Sequence, residues 1–297
     1  MLDGLNPYDI NKVRGGLKPQ TFTPMRQIKS KIIYNRRLSP LYYKLGFACK
    51  EIPKLTLPGQ FVMVSVNAQL DPFFSRPFCV YKVLKEPEGI EVVYKVVGKG
   101  TSILQKRKEG DEVEILGPLG NGYHLDDWEG DFIFVAGGIG IAAFYYLAER
   151  IRERSGGASG ITLFFGGRSK EDIICLDDFT DLNVEIITAT EDGSLGTRGL
   201  VTDLFKKDIQ EKKGAKPRVF ACGPEAMLRE VALITKKKGM SCQISLEKEM
   251  ACGFGICLGC VIKKCNNVER DDKALRWRYA RVCKEGPVFD SRELVWD

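Results

Sequence analysis

The sequence predicts a multidomain chain: an N-terminal antiparallel β-barrel, a central α/β domain on a parallel sheet, and a small C-terminal cysteine module. Three observations carry this prediction. Short β-branched and aromatic runs, separated by turn residues, fill the stretch from Arg26 to about Leu125. Strand-like and helix-like segments alternate from about Asp127 to Lys238. Six of the ten cysteines crowd into the C-terminal segment, between Cys242 and Cys283. A chain of 297 residues has room for two or three domains at about 100–200 residues each. We place the segments at 1–25 (an extension with three prolines and little periodicity), 26–127, 128–240 and 241–297.

In the barrel segment the candidate strands are Gln27–Ile32, Tyr42–Ala48, Gln60–Val66, Phe78–Leu84 and Ile90–Val97, parted by Leu57-Pro58-Gly59, Asp71-Pro72 and Glu86-Pro87-Glu88-Gly89. In the α/β segment, strands are expected at Phe132–Ala136, Ile161–Phe165, Asn183–Ala189 and Arg218–Ala221. Helices are expected at Ile141–Arg154, Leu200–Phe205 and Glu225–Lys238, which implies a parallel sheet with helices on both faces. The C-terminal segment is too short to bury a large core and needs a staple.

Composition excludes several function classes. Apolar residues make up 44% and charged residues 28%, which rules out general disorder. The net charge is +6, and the longest tight basic run is Lys236-Lys237-Lys238, so no nucleic-acid footprint is expected. A single histidine, His124, excludes a multi-histidine metal site and reads as a loop residue. The cysteine content, about 3%, is below that of a disulfide scaffold. Clustered thiols without secretory features suggest a metal site in a reducing, cytoplasmic compartment. The N-terminus has no apolar stretch of signal-peptide type. The run Phe132–Ala148 carries no charge, but Gly137, Gly138 and Gly140 interrupt it, and strand, turn and helix is the better reading than a membrane span.

The most specific motif is C-terminal. Cys252, Cys257 and Cys260 have the spacing C-x4-C-x2-C, and Cys283 follows at a distance, the plant-type arrangement for a [2Fe–2S] cluster. The x4 loop must wrap one face of the cluster, and Gly253, Gly255 and Gly259 let backbone N–H groups turn toward the sulfurs. A four-cysteine zinc site is the alternative, but zinc sites favour two C-x2-C knuckles and only one is present. Cys265 reads as a free thiol on the intervening loop, and Cys49, Cys175 and Cys242 as packing residues.

Two glycine turns follow strands and open helices: Gly137-Gly138-Ile139-Gly140, and Cys222-Gly223-Pro224. At the carboxyl edge of one sheet they converge on the crevice where doubly wound sheets bind dinucleotides. Glu191-Asp192 favours a ribose 2′-hydroxyl and hence NAD, while Arg168 could meet a 2′-phosphate. Arg76-Pro77-Phe78-Cys79, Gly98-Lys99-Gly100-Thr101 and Gly117-Pro118-Leu119-Gly120-Asn121-Gly122 are an arginine-led strand start and two glycine-rich turns suited to a pyrophosphate.

In this order the motifs resemble the ferredoxin–NADP reductase superfamily over about residues 26–240. With Ser245–Cys260 and Cys283–Phe289 added, the chain is similar to the iron–sulfur, FAD-containing electron-transfer subunits of type B dihydroorotate dehydrogenases. The resemblance implies FAD at Arg76, Pro77, Phe78, Cys79, Val93, Tyr94, Lys95, Gly100 and Thr101, and NAD at the two glycine turns. It also implies a [2Fe–2S] cluster on Cys252, Cys257, Cys260 and Cys283. It further implies an FMN-containing catalytic partner in a heterotetramer of two of each subunit, serving UMP synthesis, with electrons running from cluster to FAD to NAD. Related subunits serve bifurcating ferredoxin–NADP oxidoreductases, sulfide dehydrogenases and cytoplasmic hydrogenases, the rival reading. Departures are Cys79 where the family usually has serine, a long loop between the third and fourth cysteines, and the N-terminal extension.

Overall fold

The computed structural model describes residues 24–67, 71–125, 130–211, 216–265 and 277–296. Most of the extension 1–25, the boundary at 127/128 and much of the long loop before Cys283 lie outside them.

The barrel closes in the order β1-β2-β5-β4-β3-β6. Its strands are β1 (Arg26–Arg37), β2 (Tyr42–Ala48), β3 (Phe61–Val64), β4 (Arg76–Lys85), β5 (Glu88–Lys95) and β6 (Glu112–Leu119), all antiparallel. Closure removes every exposed sheet edge. Leu45, Phe47, Val62, Val64, Ile90 and Ile115 fill the interior. β6 takes in Gly117-Pro118-Leu119, which the sequence reads as a turn; the turn proper is shorter and begins at Gly120. Two short helices, α1 (Glu51–Leu55) and α2 (Lys99–Leu104), lie between the strands in sequence and are too brief to show a helical period.

The second body is a seven-stranded sheet, β10-β9-β8-β7-β11-β12-β15. In chain order these are β7 (Phe132–Gly137), β8 (Ile161–Gly167), β9 (Glu185–Thr190), β10 (Thr197–Arg198), β11 (Arg218–Cys222), β12 (Cys242–Ser245) and β15 (Val288–Asp290). All pairings are parallel except β12 with β15. β7 is buried on both faces: Ile133 and Val135 enter one core, with α5 (Val201–Glu211) and α6 (Glu225–Lys237). Phe132, Phe134 and Ala136 enter the other, with α3 (Tyr145–Ser155) and α4 (Leu176–Asp181). That two-sided burial explains the uninterrupted apolar text of Phe132–Ala136.

Two sequence expectations change here. The helix expected at Ile141–Arg154 begins later, because Gly138–Ala143 is a 3-10 turn and α3 starts at Tyr145. The boundary at 240/241 cuts between two paired strands of one sheet, since β12 and β15 belong to it. The cysteine segment thus leaves the sheet after β12 and returns to it at β15. Between them stand the hairpin β13 (Val261–Cys265) and β14 (Trp277–Arg281), and the short α7 (Val282–Glu285). No helix among the described residues is long and apolar enough to cross a membrane.

Candidate functional site: a cleft and a cysteine centre

Barrel, sheet and cysteine segment enclose a cleft of about 480 Å3. From the barrel its walls take Arg76, Pro77, Phe78, Cys79, Val93, Tyr94, Lys95 and Thr101. From the sheet they take Ile139, Ala142, Ala143 and Cys222, and from the cysteine segment Ser245–Met250 and Pro287. Apolar walls with an arginine and lysines suit a flat apolar ring system carrying an anionic tail.

The barrel residues differ in what they offer. Gly100 sits behind Arg76: a Cβ there would lie 2.6 Å from the guanidinium Nε, so a side chain at this position would displace the arginine. The Thr101 hydroxyl is engaged within its own turn, accepting from the N–H groups of Val97 at 3.0 Å and Gly98 at 3.2 Å. It acts as a cap within that turn. The Tyr94 ring lies inside the barrel, stacked on Tyr43, and its hydroxyl donates to Asn35 Oδ1 at 3.1 Å. The Cys79 thiol donates to the Gln60 carbonyl at 3.5 Å, and burial pushes its pKa up to about 12. Burial, with Glu247 and Cys79 nearby, likewise holds the Cys222 thiol protonated.

The two glycine turns meet each other. A Cβ on Gly140 would collide with the Cys222 carbonyl, and one on Gly223 would lie 2.9 Å from the Gly137 nitrogen. Strand order reverses here, between β7 and β11, so the turns line the crevice at the switch point of the sheet. Because α3 starts only at Tyr145, Gly137-Gly138-Ile139-Gly140 presents a 3-10 turn rather than an α-helix N-terminus. Farther along the same edge, Glu191 N–H donates to the Gly167 carbonyl and Asp192 N–H to that of Arg168, each at 3.1 Å. His124 is a loop residue: its backbone N–H donates to Gln243, and its carbonyl accepts from Gln243 and Arg218.

The cysteines come as two pairs. Cys252 and Cys257 interact across the loop between them. Cys260 and Cys283 meet because β13 and β14 form a hairpin, with Val261 opposite Arg281; the Cys283 N–H donates to Cys260 Sγ at 3.4 Å. Burial works against ionisation of Cys252, yet the N–H groups of Cys257, Phe254 and Ile256 outweigh it and lower its pKa to about 6. Burial and Cys260 push Cys283 up to about 12. Among the described residues no three His, Cys, Asp or Glu side chains converge on a single metal ion. Four thiols so placed are of the chemistry that holds an iron–sulfur or zinc centre. Cys265 pairs with Trp277 at the far end of the hairpin. The loop is braced by Arg281, whose Nη1 donates to the Gly255 carbonyl at 2.9 Å while its guanidinium pairs with Glu285. Asn121 ties the segment to the barrel through the carbonyls of Lys284 and Glu285.

Sequence reasoning missed Leu246–Met250 as a cleft wall. The signal available was its position, directly between β12 and Cys252.

Comparison with known proteins decides the family. Residues 247–295 match the iron-sulfur cluster binding domain of dihydroorotate dehydrogenase B, and residues 134–232 the oxidoreductase NAD-binding domain. The dihydroorotate dehydrogenase B (NAD(+)) electron transfer subunit of Desulforamulus reducens is 34% identical over 90% of this chain and 98% of its own length. The chain belongs to this family. The electron transfer subunit of Caldanaerobacter subterraneus subsp. tengcongensis is 37% identical over 91% of this chain and 99% of its own. A solved NADH-dependent reduced ferredoxin-NADP oxidoreductase superposes with a TM-score of 0.76 at 28% identity, covering 90% of each chain. The ferredoxin NADP+ reductase of Neisseria gonorrhoeae, at 19% identity and a TM-score of 0.61, shares the fold over 72% of this chain and 92% of its own. This protein is thus an electron transfer subunit of an NAD-linked dihydroorotate dehydrogenase B, with an iron–sulfur domain and an NAD-binding domain.

Proposed function

We propose that the chain carries electrons from dihydroorotate, oxidised at the FMN of a catalytic partner, through a [2Fe–2S] cluster and FAD to NAD, in the cytoplasmic synthesis of UMP. Cys252, Cys257, Cys260 and Cys283 would hold the cluster. Arg76–Cys79, Val93–Lys95, Gly100 and Thr101 would frame the FAD, and Gly137, Gly138, Gly140, Cys222 and Gly223 the nicotinamide nucleotide. A flavin supplies the exchange between single electrons and electron pairs that neither a cluster nor NAD makes alone. The chain's residues place and insulate. Cys79 and Cys222, both protonated, line the cleft without adding charge. Gly140 and Gly223 let the two turns close on each other, and Thr101 holds the turn under Arg76.

One observation carries the reading: the cleft wall Leu246–Met250 runs on into Cys252, so the two centres are joined by a single short stretch of backbone. The cluster loop also carries Phe254, Ile256 and Leu258, all exposed, an apolar rim suited to a partner surface. An assembly of two chains with two catalytic subunits is part of the proposal. Anaerobic mixing of the purified complex with dihydroorotate and NAD, followed at the NADH absorbance, tests it. NADH should appear; its absence with cofactors intact favours the bifurcating-reductase reading, to which the superposition at 28% identity lends support.

A further inference from the structure

Barrel and sheet meet through two carboxylates of the sheet body, each gripped by a tyrosine and a lysine of the barrel. Asp178, on α4, accepts from Tyr81 Oη at 2.5 Å and pairs with Lys44 Nζ at 2.6 Å. Asp172, in the loop after β8, accepts on Oδ1 from Tyr42 Oη at 2.6 Å and from Lys95 Nζ at 3.0 Å. The chemistry is the same at both places, but the surroundings differ. Lys44 continues to Glu91 at 3.9 Å, inside the interface, and neither Lys44 nor Tyr81 lines the cleft.

Lys95, by contrast, is a cleft wall. The second oxygen of Asp172, Oδ2, accepts the backbone N–H of Arg168 at 3.1 Å. Arg168 follows directly on β8 at the carboxyl edge of the sheet, and its carbonyl holds the Asp192 N–H of the next loop along that edge. Tyr42 Oη also lies 3.6 Å from the place a Cβ would take on Gly138, in the first glycine turn. A carboxylate engaged on both oxygens by charge-assisted and backbone bonds is held in one orientation. A displacement on either side is therefore felt on the other.

We infer that Asp172 is a positioning residue linking the flavin cleft at Lys95 to the nucleotide edge at Arg168, so that the affinity for a pyridine nucleotide depends on it. This rests on the assignment of cleft and edge proposed above. The test compares Asp172→Asn with Asp178→Asn in the flavin- and cluster-loaded protein, by calorimetric titration with ADP-ribose, the visible flavin spectrum and thermal unfolding. Asp172→Asn should weaken ADP-ribose binding about fivefold or more and shift the flavin band. Asp178→Asn should lower the unfolding temperature to a similar degree while leaving both readings in place. Equal effects of the two variants on ADP-ribose binding, or unchanged binding in Asp172→Asn, overturn the inference alone. Weakened binding with an unmoved flavin band overturns the link to the cleft. Failure of the unsubstituted protein to bind ADP-ribose overturns the nucleotide assignment, and this inference with it.

Discussion

Among single residues, the thiols divide by environment rather than by type. Cys79, half-buried, and Cys222, buried, line the cleft wall with their pKa values raised by desolvation, so neither is a nucleophile at neutral pH. Mass spectrometry after iodoacetamide treatment of the native protein should find both unmodified; rapid alkylation of either contradicts the burial. The four cysteines proposed to hold the cluster are expected to act as a set. Cys283→Ser should cut iron per chain and abolish the cluster's paramagnetic signal after reduction, with flavin content retained. Gly253 shows how closely the loop is seated: its φ is +80°, and a Cβ would lie 2.5 Å from Met63 Cγ. Gly253→Ala should cost about 1–3 kcal/mol in a denaturant titration, from backbone strain and overpacking together.

At the scale of elements, local spacing and cross-strand pairing act together in the cysteine segment. C-x4-C-x2-C is a local pattern, because one tight loop carries Cys252, Cys257 and Cys260. The fourth cysteine is brought in by the β13–β14 hairpin, whose register is a matter of cross-strand pairing. α2 was invisible in the sequence because so short a helix carries no helical period, yet the structure gives it a definite cap in Thr101. Thr101→Ala should lower stability by about 1 kcal/mol, the usual worth of such a cap, and a two-state melt reads it directly. Likewise the late start of α3 follows from Gly138 and Gly140: the chain must first pass the Cys222 turn in close contact, which a regular α-helix begun at Ile141 does not provide.

Across the whole molecule, interface carboxylates set the acid limit. Burial opposes ionisation of Asp172, but its bonds to Tyr42, Lys95 and the Arg168 N–H prevail and hold its pKa below the ordinary 3.8. A depressed folded-state pKa contributes stability that is complete above the ordinary value and is lost as pH falls through the folded one. Glu91 has the opposite sign: burial raises its pKa above 4.5, so its contribution is present in acid and fades as pH rises through the folded value. The unfolding temperature should therefore drop as pH falls below about 4, and Asp172→Asn should flatten that drop; an unaltered acid limb in the variant rules out this origin.

The barrel, the alternating sheet and the glycine turns were legible in the text because each depends on neighbours close by in the chain: the pleat, the helical period, the tight turn after a strand. Tertiary structure alone decided that β12 and β15 stitch the cysteine segment into the sheet, that Leu246–Met250 walls the cleft, and that Tyr42, Lys95 and Asp172 lock barrel to sheet. Asp172 stands 130 positions from Tyr42 and 77 from Lys95, and no local propensity encodes a meeting at that separation. It arises only when barrel and sheet bury their facing surfaces.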